Sequence, residues 1–170
     1  MRDLLAAAGH PKAALSARCP YCGGPHGPVQ VTGAPWLASV SYAGTIAVVA
    51  VHPRVHRAGF VPTGLGIDAE PLEDAVRNAA GGAPGGLLRW VRTEAALKAD
   101  GRGLRIDPAH VEIAETIDGW RARVPGRDCP VTGVEPAPSA ERALAPGVLL
   151  SVALAWTPEG EAGRDCPTTP

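Results

Sequence analysis

The feature that most constrains the fold is one long helical pattern in residues 87–99, bounded by glycine-containing segments. Apolar side chains recur along one side of a helix drawn through it at about 100° per residue. Glu94 and Lys98 fall within that apolar arc, four residues apart and therefore one above the other. The opposite side, predicted to face outward, comprises Arg89, Arg92, Thr93 and Ala96. Because two charges turned towards the interior cost solvation free energy, the pattern predicts a site that uses them.

The bulk composition is typical of one domain, or of two small halves that share a core, in 170 residues of which 45% are hydrophobic. A formal net charge of −1 argues against a dedicated nucleic-acid binder, because such affinity depends on neutralising phosphates. We find neither an apolar run near the ~20 residues of a membrane span nor a signal-peptide core at the start. A cytoplasmic protein without membrane association is therefore expected, with its four cysteines reduced by default.

The distribution of turn residues predicts short elements connected by many loops. Helices are predicted for residues 3–8 and 71–80 in addition to 87–99, and residues 9–30 are predicted to be rich in turns. Strands are predicted for residues 38–51 (two, around a turn at 43–44), 65–70, 111–117, 119–124, 131–135 and 148–156. This order predicts an α+β fold in which helices pack on small antiparallel sheets.

A pair of carboxylates on the strand at 65–70 supplies candidate metal ligands. Asp68 and Glu70 are two residues apart, so they share one face of the strand at a spacing of about 7 Å. With Glu94 as a third carboxylate, this set of hard oxygen ligands suits Mg²⁺, and Lys98 would stand ready to hold a phosphate oxygen. The alternatives are a solvated strand end and an ordinary helical ion pair.

Two motifs in this order resemble the paired signature of the 4′-phosphopantetheinyl transferases. Residues 66–70 (GIDAE) are similar to the family's G-[IV]-D-x-E strand, and residues 90–98 (WVRTEAALK) are similar to its W-x-x-K-E-A-x-x-K helix. Residues 101–104 (GRGL), 22–27 (CGGPHG) and 39–44 (SVSYAG) add to the resemblance, which extends over nearly the whole chain. The longer, single-chain subtype fits best.

The resemblance implies an architecture of two pseudo-symmetric halves, each a small antiparallel sheet packed by a helix. Residues 1–63 would form the first half, and residues 64–156 the second half with the metal and catalytic motifs. A single chain that holds both halves is expected to work as a monomer. Residues 157–170, which are polar and rich in Pro and Gly, are predicted to be disordered.

The resemblance also implies a reaction, in which phosphopantetheine is transferred from coenzyme A to a serine of an acyl or peptidyl carrier protein, releasing 3′,5′-ADP. Asp68, Glu70 and Glu94 would ligate Mg²⁺, and Asp68, Glu94 and Lys98 would be the catalytic residues. Glu94 would also help to deprotonate the serine. Four side chains would contact coenzyme A: Lys98, Tyr42, His26 and Ser41.

Three departures from the family pattern leave a second hypothesis open. Tyr42 stands where many members have a histidine, Thr93 replaces a lysine, and Pro28 follows His26-Gly27 where a lysine is common. A catalytically impaired protein that still binds coenzyme A or a carrier protein would fit these changes.

A third hypothesis rests on the cysteines. Cys19, Cys22 and His26 are three of the four ligands that a structural Zn²⁺ takes, at short spacing. A single CxxC pair more often belongs to an ordinary turn with buried thiols, and a redox pair is the least favoured alternative because no strand–CxxC–helix context is present. A small zinc-stabilised interaction module is therefore the remaining alternative.

Overall fold

The computed structural model describes residues 1–19, 21–136 and 147–159. Its helices are α1 (Arg2–Ala7), α2 (Ala75–Ala79) and α3 (Leu87–Asp100), with 3₁₀ turns at Gly103–Arg105 and Pro108–His110. Its strands are β1 (Ala14–Ala17), β2 (Val29–Thr32), β3 (Trp36–Ala43), β4 (Ile46–Pro53), β5 (Phe60–Pro71), β6 (Glu112–Thr116), β7 (Gly119–Arg123), β8 (Val131–Val134) and β9 (Val148–Pro158).

These strands form three antiparallel sheets. The largest has the order β5-β9-β8-β7-β6, while β1 pairs with β2 and β3 pairs with β4. Helix α3 packs on the five-stranded sheet and ends at Gly101, whose φ of 85° is the left-handed conformation that glycine adopts most easily. The predicted α+β class, with helices packed on small antiparallel sheets, is confirmed.

The main departures in secondary structure lie in the N-terminal region and in β5. The β1–β2 hairpin was not predicted: β1 and the start of β2 lie in the segment 9–30 predicted to be rich in turns, and strands of four residues are too short to show a clear alternation. Strand β5 crosses the predicted boundary at 63/64, where its register with β9 shifts between Pro62 and Gly64. Strand β9 extends to Pro158, and residues 160–170 of the predicted disordered tail lie outside the described residues.

Helix α3 is buried on more of its circumference than the helical wheel predicts. Arg92, Thr93 and Ala96, predicted to face outward, are 7%, 0% and 0% exposed. The prediction was wrong because α3 contacts β6, β7, β8, β9 and the following 3₁₀ turns as well as β5. Arg92 is accommodated in this interior by ion pairs with Glu115 and Glu135.

The structure also bears on the expectations about the cysteines and about membrane-spanning segments. Cys19 and Cys22 are free thiols, but Cys129 is disulfide-bonded, which corrects the default of four reduced cysteines. The expectation of reduced thiols was based on the small number of cysteines, but a single disulfide bond requires only two of them. In the part of the chain that the structure describes, no helix has the length and apolar character needed to cross a membrane.

Candidate functional site

Close contact between the backbones of β5 and α3 positions the candidate site. Gly66 has no side chain, and an ideal Cβ placed there would lie 2.0 Å from the carbonyl oxygen of Ala95 and 2.5 Å from the nitrogen of Ala99. An ideal Cβ on Gly64, two residues earlier on the same face of β5, would likewise lie too close to the carbonyl oxygen of Ala99. The two glycines therefore let α3 approach β5 directly, which brings the helix side chains within reach of Asp68.

Asp68 is the buried centre of this site, with 4% of its surface exposed. Its Oδ1 lies 2.5 Å from Lys98 Nζ and accepts a hydrogen bond from Ser41 Oγ at 3.1 Å. Its Oδ2 is also buried, and no hydrogen-bond partner for it exists among the described residues. A buried carboxylate oxygen without a partner is costly, so this atom is the one most available to a cation or a donor group.

Strand β3 contributes to the site through serine hydroxyls. Ser41 Oγ accepts a hydrogen bond from the backbone nitrogen of Ala69, and Ser39 Oγ accepts one from Ile67 nitrogen, each at 3.1 Å. Lys98 Nζ also lies 3.3 Å from Ser41 Oγ. These contacts hold β3 against the edge of β5 and fix Ser41 beside Asp68.

Glu94 is a half-buried carboxylate near the other two. Burial raises its pKa, the charge of Asp68 raises it further, and the nearby Lys98 only partly opposes these effects. Within the described residues, no hydrogen bond reaches the Glu94 carboxylate. Glu94 is therefore partly desolvated without compensating donors, which is the environment of a carboxyl group that can take up a proton or a cation.

Glu70 extends the group of carboxylates towards solvent. Its Oε2 accepts a hydrogen bond from Arg77 Nη1 at 3.2 Å. Burial and the charge of Asp68 raise the pKa of Glu70, while Arg77 lowers it. Arg77 is itself held by its contacts with the carbonyl oxygens of Pro71 and Leu72.

The geometry of the carboxylates bears on metal binding. Asp68, Glu70 and Glu94 affect one another's charge, yet in the described part of the chain only Cys19, Cys22 and His26 form a group of three donors within 4.8 Å of one another. Mg²⁺ usually takes one or two protein carboxylates and keeps several waters, so it does not require three carboxylates in close contact. The unpartnered Asp68 Oδ2 and the hard oxygen donors around it fit such an ion.

A pocket of about 360 Å³ opens beside Glu70. It is lined by Glu70, Asp74, Val76, Arg77, Gly82, Ala83, Pro84 and Trp90. The lining includes the Arg77 cation and the indole of Trp90, which begins the second motif on α3. The pocket thus joins a phosphate-compatible charge to an apolar surface, next to the carboxylates.

Two predicted contacts to coenzyme A lie away from this centre. The Tyr42 side chain is 71% exposed and, one residue after Ser41 on β3, belongs to the opposite face of that strand. His26 lies with Cys19 and Cys22, where its Nε2 is 2.9 Å from Cys22 Sγ. The structure therefore brings together Asp68, Ser41 and Lys98, and neither of these two residues contacts them in the described part of the chain.

Sequence reasoning missed the buried network around Arg92. Its guanidinium donates to Glu135 Oε1 and Oε2 and to Glu115, and lies 6.0 Å from the ring centre of Trp120. Ser151 Oγ donates to the same Glu135 carboxylate at 2.9 Å. Burial would raise the pKa of Glu135, but the hydrogen bonds from Arg92 and Ser151 outweigh it and lower that pKa. No local sequence signal indicates these partners, which are 43 and 16 residues from Glu135 along the chain.

Comparison with known proteins yields neither a matching family model nor a matching curated sequence.

Proposed function

We propose that this protein transfers 4′-phosphopantetheine from coenzyme A to a serine of an acyl or peptidyl carrier protein, with Mg²⁺ as cofactor. The proposal rests on the sequence resemblance and on one structural observation. Asp68, with its unpartnered Oδ2, lies against Lys98 at the contact of the two motif-bearing elements, β5 and α3. Glu94 is on the same helix, one turn before Lys98.

The balance of charge supports a cation at this site. Three carboxylates (Asp68, Glu70 and Glu94) share two side-chain cations, Lys98 and Arg77. Burial, followed by the charge of Asp68, raises the pKa values of Glu70 and Glu94, so a bound cation would stabilise the ionised form of both. Asp68, through its unpartnered Oδ2, and one or both of the neighbouring carboxylates, Glu94 and Glu70, would hold Mg²⁺, which when bound would neutralise charge on the oxygens of a pyrophosphate.

The proposed reaction is a substitution at phosphorus, in which the protein positions groups and stabilises charge. The serine oxygen of the carrier forms a bond to the phosphorus that carries the pantetheine chain. The bond from that phosphorus to the oxygen bridging the two phosphates breaks, and 3′,5′-ADP leaves with the bonding electrons. The serine proton passes to the Glu94 carboxylate, whose raised pKa makes it a stronger base than an ordinary glutamate.

Lys98 would stabilise the negative charge that develops on the leaving phosphate. Its Nζ lies 2.5 Å from Asp68 Oδ1 and is one-third exposed, so a phosphate oxygen can approach the same ammonium group. Ser41 keeps Asp68 Oδ1 hydrogen-bonded while Lys98 turns part of its donor capacity to the substrate. The pocket beside Glu70 offers Arg77 and Trp90 to the remainder of coenzyme A.

Incubation of the purified protein with coenzyme A, Mg²⁺ and an apo-carrier protein tests the proposal. Intact-mass spectrometry should show the carrier gain the mass of one phosphopantetheine group. Glu94→Gln should slow this transfer on the order of 10²- to 10⁴-fold, the usual contribution of a general base. Glu73→Gln, a change of the same kind at an exposed residue outside the site, should leave the rate unchanged.

Both fatty-acid and peptide-synthesis carriers should be used as acceptors. If neither type is modified while an established transferase modifies both in parallel, the protein is not an active transferase. Titration calorimetry with coenzyme A then separates the alternatives, because binding without transfer indicates the catalytically impaired protein. Absence of binding would contradict that hypothesis as well.

A further inference from the structure

The loop that carries Cys19 and Cys22 is a tight turn closed by its own backbone. The nitrogen of Cys19 donates to the carbonyl of Gly24 at 2.8 Å, and the nitrogen of Gly23 donates to the carbonyl of Cys19 at 2.9 Å. Gly23 has a φ of +71°, a left-handed conformation that favours glycine. We refer to residues 18–19 and 21–27 as the cysteine loop. Its fold places the two free thiols on one side.

A second glycine brings the histidine to these thiols. An ideal Cβ at Gly27 would lie 2.3 Å from the carbonyl oxygen of Arg18, so only glycine allows the returning chain to pass so close to the start of the loop. As a result, His26 Nε2 lies 2.9 Å from Cys22 Sγ. The donor atoms of Cys19, Cys22 and His26 all lie within 4.8 Å of one another.

We propose that Cys19, Cys22 and His26 bind one Zn²⁺ ion. In a tetrahedral site, Zn–S and Zn–N bonds of about 2.3 and 2.0 Å place the donor atoms about 3.5–3.8 Å apart. The distance of 2.9 Å between Cys22 Sγ and His26 Nε2 is shorter than that range. The 4.8 Å upper limit on the distances among the three donor atoms is longer than that range. Shifts of about 1 Å or less in side-chain positions therefore convert the observed cluster into a coordination sphere.

A backbone donor lies beside one of the two sulfur atoms. The nitrogen of Gly24 points its N–H at Cys22 Sγ over 3.4 Å, an outer contact of the kind that orients and stabilises a metal-bound sulfur. Two thiolates and a neutral imidazole would leave no net charge on a Zn²⁺ complex.

The fourth ligand would be a water molecule. In the part of the chain that the structure describes, no fourth Cys, His, Asp or Glu donor joins the three. His10 packs edge-on against Trp36, and Cys129 is disulfide-bonded, so neither is held ready for this role. Three protein ligands with one open position is an established zinc coordination pattern.

Zinc in this loop would also order the end of α3. Tyr21, between the two cysteines, stacks against Arg105, whose guanidinium carbon lies 3.4 Å from the ring centre. Arg105 belongs to the 3₁₀ turn that follows α3 and is itself bonded to the carbonyl of Arg102. A metal that fixes the cysteine loop thereby fixes the surface on which this turn rests. The site is separate from the carboxylates of the proposed transferase and stands independently of that function.

Elemental analysis of the full chain, purified without chelator and dialysed, tests the proposal. We expect about one zinc per chain in the wild type. Cys22→Ser and His26→Gln should each lower zinc affinity by on the order of 10- to 100-fold or more, since even outer-shell partners contribute that much. His110→Gln removes an exposed histidine elsewhere and should bind zinc like the wild type.

Replacement of zinc by Co²⁺ gives a readout that does not depend on function. Sulfur-to-cobalt charge-transfer bands and intense d–d bands are expected in the wild type, and weaker charge-transfer bands are expected in Cys22→Ser, which keeps only one of the two thiols. The proposal would be overturned if wild-type protein contained almost no zinc while both of its thiols could still be titrated. So would a Cys19–Cys22 disulfide in protein purified under reducing conditions, or cobalt spectra that are unchanged in both ligand variants.

Discussion

The direct contact between β5 and α3 predicts that Gly66→Ala disturbs both the fold and the site. An ideal Cβ at this position would lie 2.0 Å from the carbonyl oxygen of Ala95, whereas contacts under 3.0 Å essentially never occur. The obstructing atoms are backbone atoms of a helix, which cannot rotate away as a side chain can. Helix α3 must therefore move away from β5 by about 1 Å, or the strand must bend.

The expected cost follows from this displacement. Overpacking of this kind destabilises by about 1–3 kcal/mol, and backbone obstruction places Gly66→Ala near the upper end. For a chain of this size, about 2–4 °C of melting temperature is lost per kcal/mol. A shift of about 1 Å would also lengthen the 2.5 Å contact of Lys98 with Asp68 beyond hydrogen-bonding distance. Misplacement on this scale can lower a reaction rate by about 10²-fold.

Urea unfolding followed by tryptophan fluorescence measures the loss of stability, and the rate of the proposed phosphopantetheine transfer measures the effect on the site. Gly119→Ala is a control for lost stability away from the β5–α3 contact, because its Cβ would meet the carbonyl of Gly133 and its φ of +145° is strained for alanine. We expect both variants to be destabilised, but only Gly66→Ala to lose activity beyond its loss of folded protein. Wild-type stability for Gly66→Ala would refute the argument that backbone contact positions α3.

Three further predictions concern buried or partly buried charge. Burial and neighbouring charge raise the pKa of Glu94, so the wild type loses stability as pH rises from the ordinary value of 4.5 through the raised one. Glu94→Gln should therefore be more stable at pH 8, by roughly 0.2–1 kcal/mol, and equally stable at pH 3.5; lower stability at pH 8 would contradict the assigned repulsion. Arg92→Met should cost about 3–5 kcal/mol in urea unfolding, because it leaves the Glu135 carboxylate uncompensated, and a second change of Glu135 to Leu should restore part of that loss; additive costs would exclude coupling. Burial opposes ionisation of Asp100, but the hydrogen bonds from its two arginine partners outweigh burial and lower the pKa of Asp100. The stabilisation from these hydrogen bonds is therefore present above pH 3.8 and is lost as pH falls through the lowered pKa. Asp100→Asn should cost about 1.5–3 kcal/mol at pH 7 and lose that difference in acid, as measured by thermal unfolding across pH; a constant difference would show that packing, rather than charge, is responsible.

Local patterns in the sequence were sufficient for most of the elements. The β3–β4 and β6–β7 hairpins follow from apolar runs interrupted by turn residues, and the predicted helix at 87–99 matches α3. The two short strands β1 and β2 were not predicted, because four residues contain too few repeats to distinguish a strand from a turn-rich segment.

The partners in the candidate site were also predictable in part. The helical wheel placed Glu94 and Lys98 towards the protein, and the strand alternation placed Asp68 and Glu70 on one face of their strand. The same wheel was wrong for Arg92, because periodicity along one helix reports the apolar side and cannot reveal that strands cover the other side as well. The carboxylates that compensate Arg92 come from distant segments, so only the folded chain identifies them.

The sequence by itself determined the α+β class, the helix that carries Glu94 and Lys98, and the motif order that suggests a transferase. Each of these depends on neighbours within a few residues, where backbone geometry sets the spacing. The tertiary structure alone decided that Asp68 pairs with Lys98 and Ser41, that its second oxygen has no described partner, and that His26 lies with the cysteines rather than with the carboxylates. These contacts depend on how closely separate elements approach, and at Gly66 that distance is set by the absence of a side chain.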